Sequence, residues 1–443
     1  MDIIANAWLP TDRGLLSPLD ALRQASVVQW NRGDWDQATF CLLHAMVQTA
    51  VVLEPTRCPN RRTWTALRHQ PPVELGSWFD RPLGEHPWEC ATAQGLVPAS
   101  RLLPDVPGDN AIKKCSDVAR WQQDVPAHFT LLEATIALLS DNLWGTRIGT
   151  GFYQGARGEQ SLMTLVEPAT RRASLWERVW LNVLPADEWR RAQDAGCNAP
   201  FEYPWHQPIP AQPLTPANTH PAGVLWQMPR RWRLVQDADG LVRQVHRENK
   251  GRDYDGWEKL HPLTPYFVKA DGLWTAAKVG AHTGFRDWAT IALQGRKNSR
   301  PATVVTAFIE MAWQQEPLRL RCCGWALADA GAPGGWIDHA VPFYLKAMGQ
   351  ADTIEYAVQD AEQQRGRLAK ALDRARKGLG RQAAALYVRT EPHFYQRVAN
   401  DDWGEDRCDW QRELRREARE AFWATVDANR IDLLAATKAA RDL

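Results

Sequence analysis

No run of apolar residues in this chain reaches the length of a membrane span. Its opening, MDIIANAWLP, carries an acid at position 2 and no basic n-region. These absences predict neither a spanning helix nor a secretory leader, and they point to a cytoplasmic chain with no membrane partner. An excess of either charge is also missing: 53 Lys and Arg stand against 52 Asp and Glu, a net charge of +1, so any contact with a polyanion must be local. Eight cysteines are present without a CxxC pair, and only Cys322 and Cys323 are close. Adjacent residues cannot form the spaced ligand set of a structural zinc site, so reduced, buried thiols and no metal are expected. There is no HExxH, no GxSxG, no P-loop and no acidic EF-hand loop. The eleven histidines are scattered; His86 and His393 lie beside aromatics, where a packing role is expected, and no carboxylate pair is marked by spacing. No catalytic residue and no cofactor are expected.

What the chain has in excess is tryptophan, 23 copies against 8 tyrosines and 11 phenylalanines. Such rings mostly fill cores, although an amphipathic ring also suits interfaces and stacking. The 443 residues exceed what one core accommodates, so a large domain with a smaller one is expected. NAWLPT reads as a short strand turning at Pro10. LSPLDALRQA has the N-cap serine and first-turn proline of a helix, and DWDQATFCLLHAMVQTAVVL is apolar nearly all round, as a buried helix would be. PPVELGSWFDRPLGEHPWEC is too rich in proline for one regular element, and a helix is expected from about Pro126. Two hairpins are signalled, one turning at Asp239-Gly240 and one at Asp271-Gly272. The character changes after about Gly335. From Asp352 onward the spacing predicts four amphipathic helices, the second interrupted near Pro392, and short connections make an antiparallel bundle. The predicted fold class is therefore α+β, with a mixed domain over 1–335 and a helical bundle over 336–443.

The barest stretch is GTGFYQGARGEQS, Gly149 to Ser161. Within it Gly155, Ala156, Arg157 and Gly158 carry almost no side-chain bulk beyond one cation, which permits positive φ and close approach to a flat surface. A DNA minor groove is such a surface. A phosphate nest and a tight connection between strands suit the same residues, and the spacing leaves all three open. As GTGFYQG, the stretch misses the dinucleotide fingerprint by one residue. Arginines interleaved with tryptophan at NRRTW, TRRASLW and MPRRWRL, and the basic GRKNSRP, suit phosphate contacts beside a stacking ring or solvated arginines lying over aromatic surface.

Taken in order, NAWLP, LLHAMVQTAVV, WFDRPLGEHPW, GTGFYQGARGE leading into VWLNVLP, VLWQMPRRWRL, TPYFVKADG and EPHFYQR resemble the large subunit of the type I-E CRISPR surveillance complex, Cascade, over nearly the whole chain. The resemblance implies a large α/β domain of irregular topology followed by a four-helix bundle. It implies a non-enzymatic subunit that reads the PAM of double-stranded target DNA from the minor groove, helps to open the duplex, and recruits a helicase-nuclease. Its partners would be the CRISPR guide RNA and the other Cascade subunits. The family's glycine loop falls on Gly155, Ala156, Arg157 and Gly158, and its PAM-contacting lysine falls on Lys269, with Lys278 the alternative. Its wedge falls on Ala328, Asp329 and Ala330, where Asp329 replaces the expected amide; a loop touching the guide falls on roughly 115–125. Relatives with a cysteine cluster after the WQ segment have no counterpart in QDADGLVRQVHREN, so no zinc is expected. Two other readings remain open: a nucleotide-binding enzyme using the glycine stretch, and a purely structural interaction subunit.

Overall fold

The computed structural model describes residues 3–106, 126–144, 153, 155–158, 161–170, 172–193, 199–248, 250–257, 259–277, 285–294, 297–311, 317–327 and 333–443. The chain divides into two compact units. The first takes 1–279, 302–317 and 321–338; the second takes 280–301, 318–320 and 339–443. The two long strands Leu318–Leu327 and Pro333–Phe343 therefore run through both. No described helix is long and apolar enough to cross a membrane.

The first unit is built around the helix Gly33–Leu53, which is buried from Asp34 through Val51 except at the half-buried Asp36. Ser17 caps the short helix Pro18–Gln24 by accepting from Asp20 N, with Pro18 at the first position. Leu9–Thr11 pairs antiparallel with Gly14–Leu16, so Pro10 lies inside a strand rather than at a turn. A two-stranded ribbon has edges on which a missing amide is tolerated. The helix expected from Pro126 begins at Leu131. Thr130 and Glu133 form a reciprocal box there: Thr130 Oγ1 accepts from Glu133 N, and Glu133 Oε2 accepts from Thr130 N. That box sets the start and leaves Phe129–Thr130 to pair with the strand Leu241–Glu248. Arg231–Gln236 and Leu241–Glu248 form the first expected hairpin, with Gly240 at φ 79°. Among the described residues ten tryptophans, Trp180, Trp226 and Trp232 included, are fully buried.

The second unit holds the helices Ala351–Ala375, Ala385–Asn400, Cys408–Ala428 and Leu433–Ala439. Leu368, Leu372, Leu386, Phe422, Val426 and Ala436 meet in one core cluster. Phe285–Ala292 belongs to the same unit, and its Phe285 ring stacks on Phe394 at 4.6 Å. Pro392 does not interrupt its helix. The proline lacks the amide that would bond the Val388 carbonyl, but Val388 is exposed and water can take that role.

Candidate nucleic-acid interface

The second hairpin presents Lys269. Tyr266–Val268 pairs with Trp274–Ala276, Tyr266 opposite Ala276. Between them Lys269 N donates to Leu273 O at 2.9 Å, Gly272 N donates to Lys269 O at 2.9 Å, and Asp271 Oδ1 accepts from Leu273 N at 3.0 Å. Gly272 sits at φ 81°, the left-handed geometry this turn requires. Lys269 is exposed, and Leu273 beside it is 65% exposed.

At the root of the hairpin lies the glycine turn. Gly158 N donates to Gly155 O at 2.9 Å, and Gly158 has φ 80°. A Cβ on Gly158 would lie 3.9 Å from the Ala276 Cβ, so the turn rests against the second strand of the hairpin. Leu162 N then donates to Ala277 O at 2.7 Å, and Ala277 N to Pro265 O at 2.8 Å. The bare turn and the lysine thus share one β-hairpin, separated along its strand by three residues, roughly 10 Å.

Below the turn the surroundings are buried. A Cβ on Gly155 would collide with Oε1 of Gln227, a buried side chain whose amide has no hydrogen-bond partner among the described residues. Ala156 is buried, and Arg157 points inward with 1% exposure. Its Nε donates to Thr264 Oγ1 at 3.1 Å and its Nη2 to Ser161 O at 3.2 Å, with the guanidinium carbon 5.8 Å from the centroid of the Trp144 ring. No carboxylate among the described residues pairs with it. Burial lowers the Arg157 pKa. Burial, with the neighbouring Arg157 and His44, holds His261 well below the ordinary histidine value. Arg157 is therefore placed as an internal strut beneath the turn, not as a cation at its surface.

Ala328, Asp329 and Ala330 lie outside the described residues, as do Lys278 and residues 115–125. On the strands flanking 328–332, Arg321 Nε donates to Asp338 Oδ1 at 2.7 Å and Arg321 Nη1 to Glu167 Oε1 at 3.3 Å. Two of the three cations of MPRRWRL are paired with carboxylates, Arg230 with Asp141 at 3.3 Å and Arg231 with Glu248 at 2.6 Å; Arg233 Nη1 donates to Ala91 O at 3.3 Å, and Trp232 Nε1 donates to Asp141 Oδ2 at 2.8 Å. His393, Glu413 and Glu417 converge between two bundle helices. Arg389 meets Glu417 at 2.9 Å and Arg416 pairs with both carboxylates, so this cluster is already neutralised by arginines.

Sequence reasoning passes over three residues here. Gln227 is one. Lys250 holds its Nζ 5.7 Å from the Tyr153 ring, and Lys259 holds its Nζ 5.3 Å from the Trp274 ring. Each is a single polar residue in a loop, and the only local signal is the glycine after Lys250 in ENKGRD.

A family model described as CRISPR-associated protein Cse1 matches residues 2–421. No curated protein sequence matches the chain. Among solved structures, a CRISPR-associated protein from Thermus thermophilus is similar at 16% identity and a TM-score of 0.72, covering 100% of this chain and 98% of that one. Thermobifida fusca Cse1 is similar at 19% identity and 0.71, covering 99% and 96%. A chain of a CRISPR RNA-guided surveillance complex is similar at 17% identity and 0.70, covering 99% and 98%. At these identities the structural likeness is one of fold, and it extends over the full length of the chain.

Proposed function

The chain belongs to the CRISPR-associated Cse1 family, the large subunit of the type I-E surveillance complex Cascade, and from that premise we propose that it reads the PAM of double-stranded target DNA. The reading is made from the minor groove, through the Gly155–Gly158 turn and Lys269. The observation that carries it is the shared hairpin: a turn with no outward side chain rests at its root, and an exposed lysine stands at its tip. A minor groove is about 6 Å wide and offers acceptors on its floor, so a bare backbone enters where side chains are excluded and a lysine reaches the acceptors. Ala156 and Arg157 fix the turn from below. Ala328, Asp329 and Ala330 form the wedge that parts the first base pair. The subunit works beside the CRISPR guide RNA and the other Cascade subunits, recruits the helicase-nuclease, and carries out no catalysis of its own. The first unit holds the reading loops, and the bundle helices from Ala351 onward face partners.

The test uses the assembled complex with its guide. Gly158→Asp places a carboxylate on the groove-facing turn and leaves Gln227 untouched, whereas any side chain at Gly155 disturbs packing first. Binding to PAM-bearing duplex is expected to fall at least about tenfold, with binding to guide-complementary single strands unchanged. Lys269→Glu should likewise weaken the duplex more than the single strand. Wild-type duplex affinity in both variants would overturn the reading.

A further inference from the structure

If the turn approaches DNA, its own cation does not serve it, because Arg157 is turned inward. The phosphates lining a minor groove still need counter-charges. We propose that Lys250 and Lys259, two cations of one anchored segment, form a phosphate-contacting flank on the duplex-binding surface, Lys250 beside the glycine stretch and Lys259 beside the hairpin. The proposal rests on the reading above.

Three observations carry it. Each ammonium lies over an aromatic ring of one of the two reading elements: Lys250 over Tyr153, two residues before Gly155, and Lys259 over Trp274, next to the exposed Leu273. Neither pairs with a carboxylate among the described residues, in contrast to Arg230 and Arg231. A cation resting on such a half-buried ring at the surface gains about 1 kcal/mol, enough to bias the side chain but not to compete with a phosphate. Secondly, the backbone carrying Lys250 is tightly seated. A Cβ on Gly251 would come within 2.5 Å of Arg230 N and Pro229 C, and Gly251 N donates to Pro229 O at 3.0 Å. That contact lies two residues beyond Gln227, the side chain under Gly155, so the lysine and the turn are positioned by the same stretch. Thirdly, Lys259 is a non-glycine residue at φ 71°. Such a conformation costs about 1–3 kcal/mol and persists where neighbours enforce it. Here Trp257 Nε1 donates to Leu214 O at 2.9 Å, and Leu260 N closes on Trp257 O at 3.1 Å. With the backbone so held, the Lys259 Nζ lies 5.3 Å from the Trp274 ring.

A phosphate contact leaves a signature that a structural lysine does not. Each cation that displaces counterions contributes about 0.9 to the slope of log K against log salt. With the assembled complex and PAM-bearing duplex, Lys250→Ala and Lys259→Ala should each flatten that slope by about 0.9 and the double variant by about 1.8. Each lysine should then account for about a threefold change in affinity between roughly 50 and 200 mM salt. The ratio of affinities for PAM-bearing and PAM-less duplex should stay at the wild-type value, and Lys→Arg should restore the slope at both positions. An unchanged slope in the double variant, with Gly158→Asp still abolishing duplex binding, overturns this inference and leaves the reading of the turn intact. If Gly158→Asp is also silent, the reading falls with it. A collapse of PAM preference in the alanine variants would make the lysines base readers and overturn the phosphate assignment. A drop in thermal stability without rescue by arginine would make them structural and do the same.

Discussion

His44 lies in the middle of the buried helix Gly33–Leu53, where its Nε2 meets Asn182 O at 2.7 Å. It is one of several polar side chains on an otherwise apolar element; His44 and Gln48 complete backbone pairing for an irregular neighbour, and Thr49 receives a buried indole. Gln48 donates to Leu184 O at 3.0 Å and accepts from Leu184 N at 2.7 Å, and Thr49 Oγ1 accepts from Trp226 Nε1 at 2.8 Å. Unpaired amides and carbonyls in a core cost too much to leave, so the helix supplies what a sheet would have supplied. Burial pushes the His44 pKa down from 6.5 to about 4. A base whose folded pKa is depressed adds no pH dependence above its unfolded value. Below it, the unfolded chain takes up a proton that the folded chain refuses. Stability should therefore fall as pH drops from 6.5 toward 4, by about 3 kcal/mol. Asp36, raised to about 6 by burial, acts in the opposite sense, since protonating it relieves the folded state. A comparison with His44→Gln removes that contribution, because Gln keeps the donor to Asn182 and Asp36 is common to both chains. Chemical denaturation across this range should show the wild type losing about 3 kcal/mol relative to the variant. A constant difference would mean that the ring protonates inside the folded protein.

At the scale of elements, Gly251 joins the hairpin Arg231–Gln236/Leu241–Glu248 to the segment that follows it. Its missing side chain lets the backbone lie against Pro229 and Arg230, with Arg252 N donating to Met228 O at 2.9 Å. Backbone atoms cannot turn aside as a flexible side chain can. Gly251→Ala is therefore expected to cost about 1–3 kcal/mol by overpacking, read as a lower denaturation midpoint, whereas Gly272→Ala meets open space and bears only the penalty of φ 81°. Equal effects would mean that the close approach is not rigid. This contrast also shows where sequence reasoning reaches and stops. The cap at Ser17, the turns at Asp239-Gly240 and Asp271-Gly272, and the stripe Trp410, Leu414, Ala418, Phe422 depend on neighbours a few residues away, and all are legible. The start at Leu131 differs from the expected one by a few residues although its box is local, because Pro126 is the louder signal. The direction of Arg157 is illegible, since Thr264, 107 residues along the chain, decides it. So is the place of Phe285–Ala292, set by a ring on Phe394. The bareness of the glycine stretch can be read; what lies under it, Gln227, cannot.

For the whole molecule, the net charge of +1 bears on how DNA would be held under the proposed reading. With no long-range field to draw in a polyanion, the proposed reading needs a small number of placed cations, and of the MPRRWRL arginines Arg230 and Arg231 are already engaged by Asp141 and Glu248 while Arg233 donates to the Ala91 carbonyl. The proposed reading leaves this task to Lys250, Lys259 and Lys269. If each neutralises one phosphate, binding of a generic duplex by the isolated chain should show a slope of log K against log salt of about −2.7, with affinity in or below the range usual for non-specific binding, about 10⁻⁴–10⁻⁶ M at physiological salt. Fluorescence anisotropy over a salt series measures both quantities. The triple variant Lys250→Ala, Lys259→Ala, Lys269→Ala should bring the slope close to zero. A slope much steeper than about −3 for the wild type, surviving in the triple variant, would mean that duplex DNA is held by a broad basic face elsewhere. The turn and its lysines would then be spectators to binding. A slope that flattens one step at a time as the lysines are removed follows only if the duplex lies where these three side chains converge on it.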